Sequence, residues 1–235
     1  MSFGAARVAR HYALTSPMRF CMTDLPLIIL GAGGHGRVVA STLLMTGRRL
    51  LGFLDADQEL WGTSRLELPV LGGDCCLHGF SPTSIRLVNG IGANEHSQVR
   101  KGMFEDHKAK GFSFESVIHP SSSIAPGVTL GEGVQVMAGA VIQIGSKVGC
   151  NAIINTGATI DHDCVIGAHT HVAPGATLSG GVTIGCNCHI GTGAVVIQSV
   201  DLGNESMLAA GAVLTRNHPA FSRLAGVPAR MMRTQ

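Results

Sequence analysis

From residue 118 onward the chain repeats one pattern every six positions. Ile118, Ile124, Leu130, Val136, Ile142, Val148, Ile154, Ile160 and Ile166 stand six apart, and the series continues through Val172, Leu178, Ile184, Ile190, Val196, Leu202, Leu208 and Leu214. All seventeen are Ile, Leu or Val. Four residues after the anchors comes a small side chain: Ser122, Val128, Val134, Ala140, Ser146, Ala152, Ala158, Cys164, Thr170, Ala176. Three residues after them comes glycine or one of the types next most tolerant of positive φ, as in Gly127, Gly133, Gly139, Gly145, Asn151, Gly157, Asp163, His169, Gly175, Gly181, Asn187 and Gly193. Short strands with one large and one small inward residue, turning every six residues, describe a triangular parallel β-helix. Three strands complete a coil, so residues eighteen apart stack at about 4.8 Å, and nearly six coils make a prism roughly 27 Å long.

Before the repeats the pattern is that of alternating strands and helices. Residues 27–30 (LIIL) read as a buried strand, followed by Gly31-Ala32-Gly33-Gly34-His35-Gly36 and a helix over about 37–46. Residues 50–54 read as a second strand ending at Asp55, and 85–89 as a third leading to Gly90-Ile91-Gly92-Ala93-Asn94 and a helix over about 95–110. A last strand near Phe114 to Ile118 delivers the chain to the repeats. Alternation of this kind predicts a small parallel sheet with its ligand at the carboxyl ends of the strands. The 31–36 segment satisfies G-x-G-x-x-G, with Asp55 nineteen residues beyond Gly36. That pattern alone suggests dinucleotide binding. About 90 residues precede the repeats, roughly half a full dinucleotide-binding domain, so a single nucleotide diphosphate on the same amides and helix N-terminus fits better. A purely structural glycine turn is the remaining reading.

Composition changes this picture little. Glycine supplies 32 of 235 residues, aromatics 4% and charged residues 14%, against 45% hydrophobic, which fits tight turns around a narrow core and is the reverse of a disordered chain. Glycine has no three-residue period, which excludes collagen. A net charge of +2 offers no electrostatic basis for nucleic-acid binding, and no apolar run approaches the ~20 residues of a membrane span. The first 25 residues lack a signal-peptide core and read as a disordered lead-in, with Met18 or Met22 as alternative starts. Seven cysteines without paired spacing read as reduced thiols in the cytoplasm.

Four of the eleven histidines fall between residues 162 and 189. The stacking rule places His162-Asp163 at a corner beneath Gly180-Gly181 and above Ile144-Gly145, which leaves room for a ligand over the imidazole. A flanking carboxylate holds one tautomer and strengthens the ring as a base. His171 and His189, eighteen apart, are expected to stack at another corner. Asp163 and His169 also fit as plain turn residues, and His189 as an ordinary exposed histidine. Cys164 and Cys188 fall in the inward column; Cys150 and Cys186 are corner residues two coils apart, too distant to pair.

The motifs GAGGHG (31–36), FLDAD (53–57), GIGANE (90–95), NTGATIDHDCVIGAHTHVAPGATLSGGVTIG (155–185) and GVPAR (226–230) resemble a bacterial family of acetyl-CoA-dependent sugar acetyltransferases. That family joins sialic-acid O-acetyltransferases with N-acetyltransferases of nucleotide-linked 4-amino-4,6-dideoxy sugars, and the likeness runs from about Leu27 to Met231. It implies an α/β nucleotide-sugar-binding domain over 26–115, a left-handed β-helix acyltransferase domain over 116–216 and a C-terminal tail over 217–235. It implies His162 as general base and Asp163 as its acidic partner, a place usually held by the longer Glu. Asn155 and Asp161 match polar neighbours, His171 a residue at the acetyl-CoA site, and Thr192 and Ala210 positions whose backbone contacts the CoA arm. Gly33, Gly34, His35, Asp55 and Gly92 match the sugar-nucleotide site. The resemblance further implies homotrimers with sites between adjacent prisms, direct transfer from acetyl-CoA to the sugar amine, and no metal.

Three rivals remain at this level. One is O-acetylation of a sialic-acid-type sugar. Another is a zinc hydro-lyase resembling gamma-class carbonic anhydrases, with His162, His169, His171 and His189 as candidate ligands; it leaves the N-terminal module without a role. The third is a non-catalytic scaffold that binds a nucleotide sugar.

Overall fold

The structure, a computed structural model, describes residues 25–93 and 98–232. The expected lead-in with its alternative starts, the Asn94-Glu95 end of GIGANE and the first residues of the second predicted helix lie outside them.

The N-terminal module begins with β1 (Leu27–Leu30), completely buried, and α1 (Gly34–Met45). The helix starts inside the glycine turn, three residues before its expected position. Then come β2 (Leu50–Leu54), β3 (Ser64–Arg65), β4 (Leu68–Gly72), β5 (Arg86–Asn89) and α2 (Val99–Ala109). The sheet order is β3-β4-β2-β1-β5, parallel except for β3, which pairs antiparallel with β4. The sheet is therefore mixed rather than purely parallel. The β3–β4 hairpin has no counterpart in the sequence reading because Pro69 and Gly72 interrupt its only apolar run, and both residues argue against a strand. With β1 central and β2 and β5 on its two sides, the crevice at the carboxyl ends lies between the turns that follow β1 and β5.

From Val117 onward, two-residue strands wind a left-handed β-helix with three faces. The first face carries Val117–Ile118, Gln135–Val136, Ile153–Ile154, His171–Val172, His189–Ile190 and Met207–Leu208. The second runs from Ser123–Ile124 to Val213–Leu214, and the third from Thr129–Leu130 to Asp201–Leu202. Every pairing among these strands joins residues eighteen apart, as Ile153↔His171 and Thr159↔Thr177 illustrate. Anchors and small residues form one buried column, Val136 and Ile154 beside Ala152 and Cys164. Each buried aliphatic there stabilises by about 1.5–3 kcal/mol, and the column is too narrow for aromatics. The chain past 216 is more than a tail: Arg223–Ala225 pairs parallel with Met207–Leu208 and extends the first face, and Arg230–Met231 folds back antiparallel upon it.

The α/β module covers the first face. Val117 and Met137 belong to its apolar cluster, and Leu87 bridges to Phe114 so that the sheet runs on toward the first coil. Outward residues of this face are consequently buried, including Gln135, Ile153 and His171. Their counterparts Lys147 and Val165 on the third face are exposed. Helix α2 lies along the edge between the third and first faces. Lys108 pairs there with Glu132 at 2.8 Å, and the Arg100 guanidinium donates to the Asn151 carbonyl at 3.3 Å.

Candidate active site

The turns of the prism fall on three edges, and the expected site residues occupy different ones. Asp161-His162-Asp163 lies between the second and third faces. The His162 amide donates to Asp161 Oδ1 at 2.8 Å, which closes the turn. Asp163 sits at φ 58° in the left-handed region and its carboxylate lies 2.9 Å from His162 Nδ1. A carboxylate accepts, so Nδ1 carries the proton and the Nε2 lone pair is free to act as a base. The hydrogen bond to Asp163 and the Asp161 charge raise the His162 pKa above its ordinary value. Both side chains are open to solvent, 58% and 71% exposed.

The rungs above and below are shaped around this pair. A Cβ on Gly180 would run into His162 Nε2, and one on Gly145 into the Asp163 carboxylate. The stacking read from the sequence is the stacking observed, and only glycine at those two rungs leaves the pair its place.

A second group gathers at the edge between the first and second faces and on the first face beside it. The His171 and His189 pair is not at a corner as expected but within the first face, where the two pair in register with ring centroids 5.0 Å apart. The reason is register: both are the first residue of a strand pair, not a turn residue. His171 Nδ1 donates to the Ala93 carbonyl at 3.0 Å, and Nε2 accepts from Asn155 Nδ2 at 3.0 Å. Both ring nitrogens are thus committed to a neutral tautomer. Burial first, then the nearby His189, His35 and Arg100, holds the His171 pKa down to about 3. Thr192 and Ala210 lie exposed further along the same edge as Asn155, joined where the Gly211 amide donates to the Thr192 carbonyl at 2.9 Å.

The third group belongs to the α/β module. Gly31 stands at φ 102°, and a Cβ on Gly36 would strike the Gly31 carbonyl, so the turn is tight and α1 packs directly on it. Gly33 and Gly34 are exposed, with open space around them, at the N-terminal end of α1, where free amides and the helix dipole favour an anion. The Asp55 carboxylate accepts from the Ala32 amide at 2.7 Å and the Asp57 amide at 2.9 Å, tying the ends of β1 and β2 together. His35 turns toward the β-helix, 2.7 Å from Gln135, and Gly92 lies against its Cβ. A cavity of about 400 Å³ opens beside this turn, lined by Gly34, Arg37, His119, Ala138 and Thr156 among others. It runs from the glycine turn to the edge that carries Asn155.

Sequence reasoning did not single out Arg37, Gln135 or Arg100. Arg37 had a signal, since it follows GGHG directly; the other two become informative only once the first face is known to be covered. The candidate zinc ligands do not converge in one chain: His162 is on one edge, His169 on another facing Asn151 and Glu105, and His171 on the first face. Among the described residues no group of three or more His, Cys, Asp or Glu is placed to hold a metal.

Residues 26–106 match the PglD N-terminal domain, and 145–180 and 181–216 the bacterial transferase hexapeptide (six repeats). Among solved structures the chain is similar to a mutant of perosamine N-acetyltransferase from Caulobacter crescentus in complex with CoA and GDP-perosamine. The two share 37% identity over 89% of this chain and 97% of that one, with a TM-score of 0.82. The chain belongs to the hexapeptide-repeat nucleotide-sugar N-acetyltransferase family. The acetyltransferase domain of PglB from Neisseria gonorrhoeae, also solved with acetyl coenzyme A, is 36% identical over 88% of this chain and 98% of that one, TM-score 0.81. WeeI from Acinetobacter baumannii is 26% identical over 88% of this chain and the whole of that one, TM-score 0.79. Membership decides the main point left open by the motifs: it favours N-acetylation of a nucleotide sugar over the sialic-acid alternative, and the relative named here with a stated substrate, from Caulobacter crescentus, is an N-acetyltransferase.

Proposed function

We propose that the protein transfers the acetyl group of acetyl-CoA to the 4-amino group of a nucleotide-linked 4-amino-4,6-dideoxy sugar, with His162 as general base. The observation that carries this is the His162 imidazole itself, its Nδ1–H held by Asp163 and its Nε2 left uncovered by Gly180. The amine nitrogen attacks the thioester carbonyl carbon while Nε2 removes its proton, and the C–S bond then breaks as the imidazolium gives that proton to the sulfur, so CoA leaves as the thiol. A backbone amide near the acetyl group steadies the developing oxyanion. Direct transfer needs no cysteine nucleophile, and Cys164 and Cys188 are in the buried column, where burial pushes the Cys188 thiol up to about 11.

The nucleotide sugar is assigned to the turn at Gly33, Gly34 and His35, with Asp55 and Gly92 beside it and the adjoining cavity leading to Asn155. Asp163 and Asp161 tune and orient His162, and His171 supports Asn155 at the acetyl-CoA side, with Thr192 and Ala210 along the CoA arm. In one chain His162 stands a full face away from Asn155, Thr192 and Ala210. We therefore assign the complete site to the contact between two prisms of a homotrimer, one supplying the His162 edge and its neighbour the Asn155 edge. Exposed Ile144 beneath His162, with 61% of its surface free, supports an apolar contact there. Six free thiols among the described residues support a cytoplasmic setting. No helix of the described residues is long and apolar enough to cross a membrane.

The test is thiol release from acetyl-CoA against GDP-, UDP- and dTDP-linked 4-amino sugars and free sialic acids. Acetylation of at least one nucleotide 4-amino sugar is expected. Consumption of sialic acid alone, or of no sugar, overturns the proposal.

A further inference from the structure

One buried glutamine joins the two modules at the nucleotide end of the site. Gln135 faces outward from the first face of the β-helix and is completely buried beneath the α/β module. Its neighbours in the same outward column, one rung to either side, are Val117 and Ile153, both buried and apolar. Packing alone therefore favours an aliphatic at 135, and a buried amide costs free energy unless every polar atom finds a partner.

Its partners are the two glycine turns. Gln135 Nε2 donates to the Asn89 carbonyl at 2.6 Å, at the end of β5 where the 90–92 turn begins. With the amide nitrogen so placed, Oε1 faces His35 and accepts from its Nε2–H at 2.7 Å, at the start of α1 inside the 31–36 turn. The second turn is also held by Arg100, itself buried, which donates to the same Asn89 carbonyl at 3.0 Å and to that of Ile91 at 2.7 Å. Asn89 Oδ1 accepts from the Ile91 amide at 3.1 Å. Burial and the Arg100 charge hold the His35 pKa down to about 4, so this histidine stays a neutral donor across the working pH range.

We propose that Gln135 is a positioning residue for the nucleotide sugar: acting through His35 and Asn89, it fixes the spacing of the two turns that flank the bound diphosphate. It touches no substrate. The inference rests on the functional reading above.

Hydrogen–deuterium exchange and kinetics on the full chain test it together. Gln135→Leu is expected to speed exchange in peptides covering 31–36 and 89–92 about tenfold or more, with the upper coils unchanged. KM for the nucleotide 4-amino sugar is expected to rise about tenfold, with KM for acetyl-CoA unmoved. Gln135→Glu keeps the acceptor for His35 and loses the donor to Asn89, so its faster exchange is confined to 89–92; it carries the test if the leucine variant does not fold. Unchanged exchange at both turns overturns the inference, as does faster exchange with the two KM values moving together or not at all. If wild type acetylates no nucleotide 4-amino sugar, the functional reading fails instead, and exchange at the two turns alone decides the role of Gln135.

Discussion

Polar residues replace glycine at the left-handed turn on two edges of the prism, with different consequences. Between the third and first faces stand Asn151, His169, Asn187 and Glu205, at φ 56°, 62°, 53° and 57°. All four are engaged beneath α2. Asn151 accepts from Asn89 at 3.2 Å, His169 lies 3.8 Å from Glu105, Asn187 donates to Gln98 at 3.2 Å, and Glu205 lies 3.9 Å from Lys101. Between the second and third faces Asp163 takes the same strained conformation at φ 58° and turns to His162 at the open surface. A side chain in this region costs about 1–2 kcal/mol. On the first of these edges docking of the α/β module offsets that cost; on the second no packing contact does. A break in the glycine column is thus not itself a sign of chemistry. The informative break is the one that faces solvent beside a titratable ring.

The largest effect is expected where that exposed break meets the reaction. His162→Ala removes the proposed general base and should lower kcat by about 10²–10⁴-fold, with KM for acetyl-CoA nearly unchanged. The variant should melt with wild type, because His162 is exposed and its turn is closed by its own backbone amide on the Asp161 carboxylate, which alanine keeps. Unaltered turnover in the thiol-release assay would take His162 out of the mechanism.

The docking edge should respond in stability instead. Asn151→Gly keeps the turn conformation and removes the side-chain bonds to Asn89 and His169. Losing those bonds costs about 2 kcal/mol, and relief of left-handed strain less glycine's extra freedom returns about 0.5, so urea unfolding should show a loss of about 1.5 kcal/mol, with kcat within about twofold of wild type. A kcat loss as large as that of His162→Ala would erase the distinction between the two edges.

Asp163→Asn sharpens the comparison at the His162 edge. The base must be neutral, and Asp163 raises the His162 pKa, so the acid limb of kcat/KM in wild type should lie above the ordinary imidazole value of ~6.5. The asparagine variant should move that limb to lower pH and lose about tenfold in rate on the plateau, since a weaker base accepts the proton less readily. His171, held near 3, should contribute no limb above pH 4. A limb that stays in place would assign it to another group.

The two edges also show what sequence can and cannot reveal. A six-residue period leaves no freedom in which residues stack, so the coils, the left-handed turns and the rungs above and below His162 were legible from spacing alone. The same period does not say which face the α/β module covers. The corner expected for His171 and His189 is a slip of register, since each directly precedes an anchor, Val172 and Ile190; Gln135 and Arg100 carry no such signal, because their roles depend on contacts between segments with no shared repeat. The β3–β4 hairpin was missed for a local reason: Pro69 and Gly72 hide a strand that tertiary pairing enforces.

Ser199 supplies the smallest test, because it breaks the column and serves neither use. It lies one rung beyond Gly181 on the His162 edge, at φ 56°, with its amide donating to the Gly180 carbonyl at 3.0 Å. Ser199→Gly keeps that backbone bond and relieves about 1–2 kcal/mol of left-handed strain. Against this, glycine enlarges the conformational freedom of the unfolded chain by roughly 0.5–1 kcal/mol. The balance is a stabilisation of about 0.5 kcal/mol, read as a small rise in the urea midpoint with kcat unchanged. A loss of 1 kcal/mol or more would mean that the serine hydroxyl holds something together on this edge, and that Asp163 is not alone there in being kept for a contact rather than for its backbone.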